Sequence, residues 1–393
     1  MSESSPIPSS ASPSQASPVQ GQSAPTSAPQ LPEPAIPHLP RRTANVQFLK
    51  DPGIYHELLV QDVPKAFLES ANQPVADASL PDLIQSGHFR RAAEKALRDL
   101  QASPPDAAEH ILQLLYTRLA CLVLISRPDI AAQEAIPLID LLARSPPGAE
   151  EIVPLIPWEL RLLIVRLQSI GAADGGRRGI MSLYGLAGEV RSNLRHAQEA
   201  GDNAATAEWT ARLQDLGLRV CDALVEMGEL ETAARHLDTL INDDADELAY
   251  RKALLHIRVG DVSAAQKCAA KLSDETRRKG FEALLMVGDG DYLTAVKSWQ
   301  SLTEDFSSHE VFVQNAAVAL LYTGHISSAR NVLEDLSARL PVFPTLLFNL
   351  STVYELCTER ANERKAAFID KTAAKTPGPQ SGGWERTKFE FKL

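Results

Sequence analysis

Four stretches of thirteen residues align without a gap in this chain of 393 residues: CDALVEMGELETA at 221–233, ALLHIRVGDVSAA at 253–265, ALLMVGDGDYLTA at 283–295 and AVALLYTGHISSA at 317–329. Each begins with a small residue, has glycine in eighth place and a large apolar residue in tenth, and ends in alanine. Glycine is favoured where a helix ends in left-handed backbone. Small residues let two helices approach to about 8–10 Å. The pattern therefore predicts four helical hairpins in series.

The glycines recur at spacings of 32, 30 and 34 residues, close to the period of the tetratricopeptide repeat, a helix–turn–helix unit. An alanine-rich helical protein without repeats is the alternative, but four units in a row favour the repeat. The residues predicted to pack the hairpins are Cys221, Gly228, Ala233, Ala253, Gly260, Ala265, Ala283, Gly290, Ala295, Ala317, Gly324 and Ala329.

The same helical character extends beyond these four units. Leu347, Leu350, Ser351 and Tyr354 occupy the matching places of a fifth first helix, and the glycine–apolar–alanine pattern also occurs from Gly87 to Ala92. No run of β-branched residues with period two appears in 81–375. The predicted fold is all-α, an α-solenoid of tetratricopeptide-like helical hairpins. Residues 81–202 form degenerate hairpins and 203–375 form the repeat array.

The segments that precede the hairpins differ in composition. Residues 1–40 hold ten prolines and ten serines but no lysine or arginine, which predicts a disordered tail. Residues 41–80 contain large apolar side chains, including Phe48, Leu49 and Phe67. They are predicted to form an ordered strap that packs on the following helices; a recognition segment for a partner is the alternative.

Residues 376–393 are predicted to form a capping or docking tail, because the last repeat of a solenoid leaves an apolar face to be covered. Trp384, Phe389, Phe391 and Leu393 restore hydrophobicity after a Pro-Gly-Pro break. The last three alternate with charged residues, which predicts an extended segment with one apolar face. Trp384, Phe389 and Phe391 are accordingly candidates for partner binding if the tail docks elsewhere.

Composition narrows the classes of function. The formal net charge of −11 disfavours binding to nucleic acid or to an anionic membrane. Four widely spaced cysteines form no CxxC pair and indicate buried side chains in a reducing compartment. The longest apolar run, residues 119–125, is too short to span a bilayer, and the first residues do not resemble a signal peptide. We therefore expect a soluble cytosolic protein without direct membrane insertion.

Motifs that carry catalysis or bind cofactors are weak. The glycine-rich run at 171–178 lacks the lysine of a phosphate-binding loop and is more typical of a link between helices. The acidic run at 243–247 lacks the glycine of a calcium loop and is more typical of a turn before a helix. The nine histidines form no i,i+4 pair. We expect no catalytic, cofactor-binding or metal-binding residues.

Asn315 and Asn349 occupy equivalent places in consecutive repeats and are candidates for binding a peptide backbone. Repeat proteins that clamp a terminal carboxylate combine such asparagines with lysine and arginine, but here the flanking residues are Phe312, Ala316, Leu346 and Leu350. Local hydrogen bonds between helices are therefore the favoured interpretation of the two asparagines.

Four stretches resemble a known family. NAAVALLYTG at 315–324, LFNLSTVYEL at 347–356 and LYTRLACLV at 115–123, together with the tryptophan-initiated helix at 209–228, are similar to the trafficking protein particle (TRAPP) complex subunit 12 family. The resemblance covers about residues 105–375 and is to a shorter, fungal-type member.

The resemblance implies a non-catalytic scaffold subunit of a TRAPP III-type vesicle-tethering complex, which is an exchange factor for a Rab1-class GTPase in ER-to-Golgi transport and autophagy. The implied partners are relatives of subunits 8, 11 and 13 and, indirectly, the small-subunit core; the GTPase would be reached only through the complex. The implied location is cytoplasmic, peripheral to early Golgi and ER–Golgi intermediate membranes. A peptide-binding tetratricopeptide cochaperone or adaptor is the alternative, and an enzyme on an α-solenoid frame is a third class.

Overall fold

The computed structural model describes residues 45–144, 149–170, 176–241, 244–305, 309–378 and 382–393. The chain divides into two units, Met1–Arg42 and Thr43–Leu393, and every described residue belongs to the second. The predicted disordered tail, residues 1–40, lies outside the described residues. The described part contains helices and turns and no strand, so the all-α prediction is confirmed.

The helices follow one another along the chain, with short 3-10 turns at Gln47–Lys50, Pro52–Ile54, Val153–Leu155 and Lys388–Phe391. They are α1 (Lys65–Leu68), α2 (Leu80–Gln85), α3 (Phe89–Ala102), α4 (Ala108–Leu124), α5 (Pro128–Glu134), α6 (Ile136–Arg144), α7 (Ala149–Ile152), α8 (Trp158–Ser169), α9 (Arg177–Glu199), α10 (Asn203–Glu226), α11 (Leu230–Thr239), α12 (Ala245–Val259), α13 (Val262–Ala269), α14 (Glu275–Gly288), α15 (Tyr292–Asp305), α16 (Glu310–Tyr322), α17 (Ile326–Arg339), α18 (Pro344–Cys357) and α19 (Ala361–Ala373).

The helical turns that close the hairpins share one backbone geometry. Gly228, Gly260, Gly290 and Gly324 all lie in left-handed space, with φ between 80° and 91°. The residue after each glycine donates its N–H to the carbonyl five residues earlier, and each of these four hydrogen bonds is 2.9 Å long. This is the Schellman ending of a helix, which glycine adopts without a Cβ clash. The glycines thus end the first helix of each hairpin where the sequence predicted.

Three further turns repeat this geometry outside the four aligned stretches. One is at Gly201, between α9 and α10, with a φ of 69° and a 3.0 Å hydrogen bond from the Asp202 N–H to the Ala197 carbonyl. Gly87, between α2 and α3, has a φ of 76°, and the next N–H donates to the Leu83 carbonyl at 2.8 Å. Ser126, between α4 and α5, has a φ of 63°, and the N–H of Arg127 donates to the Leu122 carbonyl at 2.9 Å. A serine with a Cβ in this conformation is strained by about 1–2 kcal/mol.

Small residues lie where neighbouring helices meet, and consecutive helices from α8 to α19 pack on one another. The predicted small residues of the hairpins are at most 3% exposed: Cys221, Ala233, Ala253, Ala265, Ala283, Ala295, Ala317 and Ala329. Gly280 allows a further close approach, since a Cβ there would lie 2.7 Å from the Phe312 ring of α16. Large side chains fill the space between the crossings; Trp299, for example, packs 5.5 Å from that ring.

The strap, defined as residues 45–80, lies on both ends of the helical unit. Val46 and Leu49 are buried in the core around α4, whereas Phe67 of α1 is buried in the core around α18 and α19. Asn72 donates its side-chain amide to the carbonyls of Ala373, Ala374 and Lys375, at 3.1 to 3.3 Å, and so satisfies the C-terminal end of α19.

A buried ion pair fixes the strap on α4 and α5. The guanidinium of Arg118 donates to both carboxylate oxygens of Glu134 at 2.7 Å. Arg118 also donates to the carbonyls of His56 and Ala93, while Glu134 accepts the His56 N–H at 2.9 Å. Beside the pair, burial raises the pKa of the Tyr55 hydroxyl, and the charge of Glu134 adds to this effect. All polar groups of the pair that face the strap therefore have partners inside the chain.

Candidate interaction surfaces

The two asparagines proposed for peptide binding lie on α16 and α18, and both are half-buried. Asn349 donates its side-chain amide to the Gln314 side-chain oxygen at 2.6 Å. Because Gln314 belongs to the preceding hairpin, this bond links consecutive repeats. Asn315, next to Gln314 in the chain, lies on the same helix.

Four large apolar side chains are exposed on the two helices that carry these asparagines. Val311 and Tyr322 of α16, and Phe348 and Leu356 of α18, are each between 48% and 67% exposed. The Tyr322 ring stacks on Tyr292, with centroids 4.7 Å apart and planes 6° from parallel. Large apolar side chains exposed together on neighbouring helices are typical of protein-binding surfaces. We call these four residues the apolar row.

A cavity of about 590 Å³ opens between α8, α9, α10 and α12. Its apolar lining comes from Leu162, Val165, Ile180, Leu183, Val225 and Met227, and its charged lining from Arg166, Arg219, Asp222, Glu226 and Arg258. Arg166 donates to Glu226 at 2.7 Å. A lining that combines apolar side chains with charges of both signs is typical of a protein interface.

Ion pairs continue from this cavity along the first helices of the array. Arg251 of α12 donates to Asp222 of α10 at 2.9 Å and to Glu247 at 2.7 Å. Glu247 also accepts from Arg277 of α14 at 3.2 Å. Charges of opposite sign thus pair from one of these helices to the next.

Two tryptophans and two arginines form a second cluster where α8 meets α10. The Arg212 guanidinium lies 4.6 Å from the Trp209 ring and 4.9 Å from the Trp158 ring. Arg161 packs 5.9 Å from Trp158 and donates to Glu189 of α9 at 2.7 Å. The hydrogen bond from Arg161 lowers the pKa of the Glu189 carboxyl. This cluster joins α8 and α9 to α10, the first helix of the repeat array.

The tail, defined as residues 382–393, is not extended, so that prediction is wrong. Lys388–Phe391 form a 3-10 turn that begins with a capping box between Thr387 and Glu390. In such a turn alternate residues point to different sides. Phe391 is therefore fully buried while Phe389 is 80% exposed.

Of the proposed partner-binding aromatics, two are covered by the chain itself. The Trp384 ring packs edge-on against Phe67 at 5.3 Å and against His88 at 5.1 Å. Phe391 packs against Phe368 of α19 at 5.8 Å. Of these three candidates for partner binding, Phe389 is the one whose side chain is exposed.

The tail also contacts the hairpin formed by α2 and α3. The sequence did not predict this contact. Trp384 donates its backbone N–H to the Gly87 carbonyl at 2.9 Å. The carboxylate of Glu385 accepts two hydrogen bonds from Arg90 of α3, at 2.5 and 2.9 Å. Lys388 donates its backbone N–H to the Asp62 carbonyl of the strap at 2.7 Å. Strap and tail thus join the α2–α3 hairpin to the α18–α19 hairpin.

The four cysteines and the acidic turn before α12 occupy structural positions. Burial raises the pKa of the Cys121 thiol to about 12 and that of the Cys221 thiol to about 11, so both are poor nucleophiles. Cys268 and Cys357 are half-buried rather than buried, and all four cysteines are free. Asp244 caps α12 by accepting the Glu247 N–H at 2.9 Å, as the turn interpretation predicts. Asp243 and residues 171–175 lie outside the described residues.

Within the described ranges, no group of three or more His, Cys, Asp or Glu side chains could hold a metal ion. No helix there is long and apolar enough to cross a bilayer.

No protein-family model matches this chain. It is 23% identical over 300 residues to human "Trafficking protein particle complex subunit 12", covering 67% of this chain and 40% of that protein. It is 24% identical over 341 residues to the mouse protein of the same name, covering 75% of this chain and 42% of that protein.

Among solved structures, a tetratricopeptide repeat protein from Parabacteroides merdae matches with a TM-score of 0.38 and 14% identity, covering 67% of this chain and 98% of that one. A superposition this loose adds nothing to the fold, which follows from the hairpins themselves. The chain spans about 40% of the length of the curated relatives it matches. The resemblance found in the sequence is confirmed: the curated relatives of this chain are subunit 12 of trafficking protein particle complexes.

Proposed function

We propose that this chain is a non-catalytic scaffold subunit of a trafficking protein particle complex and acts through protein–protein contacts. The observation that carries the proposal is the similarity to subunit 12 over 67% to 75% of the chain. Stacked helical hairpins support it, because such arrays present long surfaces to partners. The apolar row lies on α16 and α18, and the 590 Å³ cavity lies where α8 and α9 meet the first helices of the array; both are candidates for such surfaces.

The finer proposal is a TRAPP III-type complex that tethers vesicles in ER-to-Golgi transport and autophagy. Its other large subunits, relatives of subunits 8, 11 and 13, would be the direct partners, and the small-subunit core would be reached through them. The Rab1-class GTPase would contact the complex and not this chain. The chain would then lie in the cytoplasm, peripheral to early Golgi and ER–Golgi intermediate membranes.

Affinity purification of the tagged full chain from its native cell, followed by mass spectrometry, tests the assignment. We expect other TRAPP subunits to co-purify. A Tyr322→Glu, Leu356→Glu double variant should lose them if the apolar row makes the contact, whereas Ile241→Glu, at a side chain 86% exposed outside the row, is the matched control. Recovery of chaperones alone would favour the cochaperone alternative and overturn the proposal.

An exchange assay tests the non-catalytic role. The purified chain, added alone at micromolar concentration, should not stimulate nucleotide release from a Rab1-class GTPase. Complexes purified from cells that lack the chain should instead have lost partner subunits. Stimulated release by the chain alone would contradict the scaffold role.

A further inference from the structure

A cavity of about 300 Å³ lies where the ends of α17 and α19 meet the tail. Among the described residues that line it, three side chains are cationic and none is a carboxylate. Arg339 comes from the last turn of α17, Lys375 follows α19, and Arg386 belongs to the tail. The chain as a whole has a formal net charge of −11, so this lining departs from the rest of the molecule. It is suited to a small anion.

The charge of Lys375 has no anionic partner among the described ion pairs. Its ammonium group donates to the Leu340 carbonyl at 2.7 Å and to the Ser337 carbonyl. Burial lowers the pKa of this ammonium group, and no neighbouring charge opposes the effect. An anion in the cavity would supply the missing compensation.

The two arginines have carboxylate partners and can still contribute. Arg339 pairs with Asp335 at 2.9 Å, but both side chains are about half exposed, so exchange of this pair for a stronger anion costs little. Arg386 donates to Glu390 at 3.3 Å and to the Val342 carbonyl at 2.8 Å. Burial lowers the pKa of Arg386 even though Glu390 opposes the effect. Its charge is therefore only partly compensated.

Thr376 lines the same cavity and has a hydroxyl that can carry an anion. It is exposed and lies outside any helix, three residues after the end of α19. The next residue is Pro377. A residue before proline favours extended backbone, which is the conformation that protein kinases bind, and a directly following proline is the feature that proline-directed kinases require.

We propose that Thr376 is a phosphorylation site and that the cavity holds its phosphate against Lys375 and Arg339, with the charge of Arg386 behind them. The Thr376 Oγ1 oxygen attacks the γ-phosphorus of ATP in a proline-directed kinase. The bond from that phosphorus to the β–γ bridging oxygen breaks, ADP leaves, and the hydroxyl proton passes to the base of the kinase. The phosphate brings a charge of about −1.5 to −2 at neutral pH. It thereby fastens the tail to the ends of α17 and α19, a role independent of the proposed function.

The two helix ends at the cavity oppose an anion, since each carries about half a negative charge. Their carbonyls already have donors. The Lys375 side chain serves α17, and the side chains of Asn72 and Trp384 serve the residues that follow α19. Three full positive charges at the cavity outweigh two half-charges that are already hydrogen-bonded.

Mass spectrometry of the folded full chain, after incubation with a proline-directed kinase and ATP, tests the site. We expect phosphate on Thr376. Ser103 is the matched control: it also precedes a proline, but it is 6% exposed and its hydroxyl donates to the Asp99 carbonyl at 2.7 Å. It should remain unmodified. An unmodified Thr376, in a kinase preparation that phosphorylates a synthetic peptide of residues 370–379, would overturn the proposal.

A full chain with phosphothreonine installed at position 376 by genetic code expansion tests whether the cavity holds the phosphate. The second pKa of a phosphate ester is about 6, and ³¹P NMR follows it. We expect it to be at least about 0.5 lower than in the phosphorylated peptide of residues 370–379, because nearby cations favour the dianion. The Tm should rise by about 2–4 °C on phosphorylation. Arg339→Gln or Lys375→Gln should reduce both effects, whereas Arg360→Gln, at an exposed side chain outside the cavity, should reduce neither.

Three results would overturn the holding of the phosphate. A pKa equal to that of the peptide would place the phosphate in solvent. A Tm lower than that of the unphosphorylated chain would mean that the helix ends repel it. An equal rise in Tm of the unphosphorylated chain with millimolar inorganic phosphate would make the cavity a site for free anions. No TRAPP subunit is used, so each of these failures leaves the scaffold proposal untouched.

Discussion

Arg118 and Glu134 form a bidentate ion pair whose side chains are 1% and 0% exposed. The pair lies beneath the strap and also satisfies two of its backbone groups, those of His56. A charge with so little access to water is tolerated only with a complete set of partners. The pair is therefore the point at which the strap depends most on helices α4 and α5.

Arg118→Met should lower the free energy of unfolding by about 3–5 kcal/mol, because Glu134 would remain buried without its counter-charge. Urea unfolding followed by circular dichroism measures this change. The double variant Arg118→Met, Glu134→Leu should lose less than Arg118→Met alone. A double variant that is the less stable of the two would contradict this account.

Gly324→Ala should destabilise the chain by about 1–2 kcal/mol. A Cβ at Gly324 would meet nothing within 4 Å, so the effect arises from the backbone alone, with its φ of 80°. Gly185 is the matched control. It is an exposed glycine inside α9 that also has open space around it, and Gly185→Ala should stabilise the chain by about 0.5–1 kcal/mol. Equal effects of the same sign would refute the argument.

Ser126→Gly should change the free energy of unfolding in the opposite direction to Gly324→Ala. It removes the strain of a serine at a φ of 63°, and the greater freedom of glycine in the unfolded chain cancels part of the gain. The net expectation is a stabilisation of about 0.5–1 kcal/mol. Thermal unfolding should show a higher Tm; an unchanged or lower Tm would mean that the turn relaxes.

Phe391→Ala should lower the free energy of unfolding by about 3–5 kcal/mol, since it empties a fully buried site between Phe67 and Phe368. Phe389→Ala, at a side chain that is 80% exposed two residues away, should change it by less than about 0.5 kcal/mol. Chemical denaturation of both variants measures the difference. Similar values for the two would argue against a capping tail.

Stability should fall as the pH drops below the ordinary pKa of histidine, and His88 should account for part of the loss. Burial lowers the pKa of His88, a neighbouring Glu385 opposes this effect and Arg91 adds to it. The unfolded state therefore binds the proton more readily, and the stability present above pH 6.5 is lost as the pH falls from there toward the folded pKa. Urea unfolding at pH 7.5 and 5.5 should show a smaller loss for His88→Phe than for the unchanged chain. An identical loss in both would exclude His88.

The helices and their turns could be predicted from the sequence because both depend on local patterns. Gly228 and its equivalents mark helix ends through their own backbone preference, and the buried alanines mark the crossings through their size. Arg118, in contrast, sits among leucines in a stretch that we quoted only for its resemblance. No local pattern links Arg118 to Glu134. The two side chains meet only when α4, α5 and the strap pack against one another.

In the tail, one structural feature could have been predicted from the sequence and another could not. Thr387 and Glu390 have the spacing of a capping box, which predicts a helical turn, but the alternation of Phe389, Phe391 and Leu393 was taken to indicate an extended segment. Five residues are too few for periodicity to distinguish the two. The pairing of Glu385 with Arg90 spans 295 residues and follows only from the folded structure.

The contact between the α2–α3 and α18–α19 hairpins, made through the strap and the tail, affects how the protein unfolds. An open array of repeats frays, because its terminal units have a neighbour on one side only and open first. Here Arg90 and the last hairpin are connected through the tail and the strap, so each end is supported by the other. Hydrogen exchange in α3 and α19 should then be as slow as in the middle of the array, and the loss of one end should release the other in the same cooperative event.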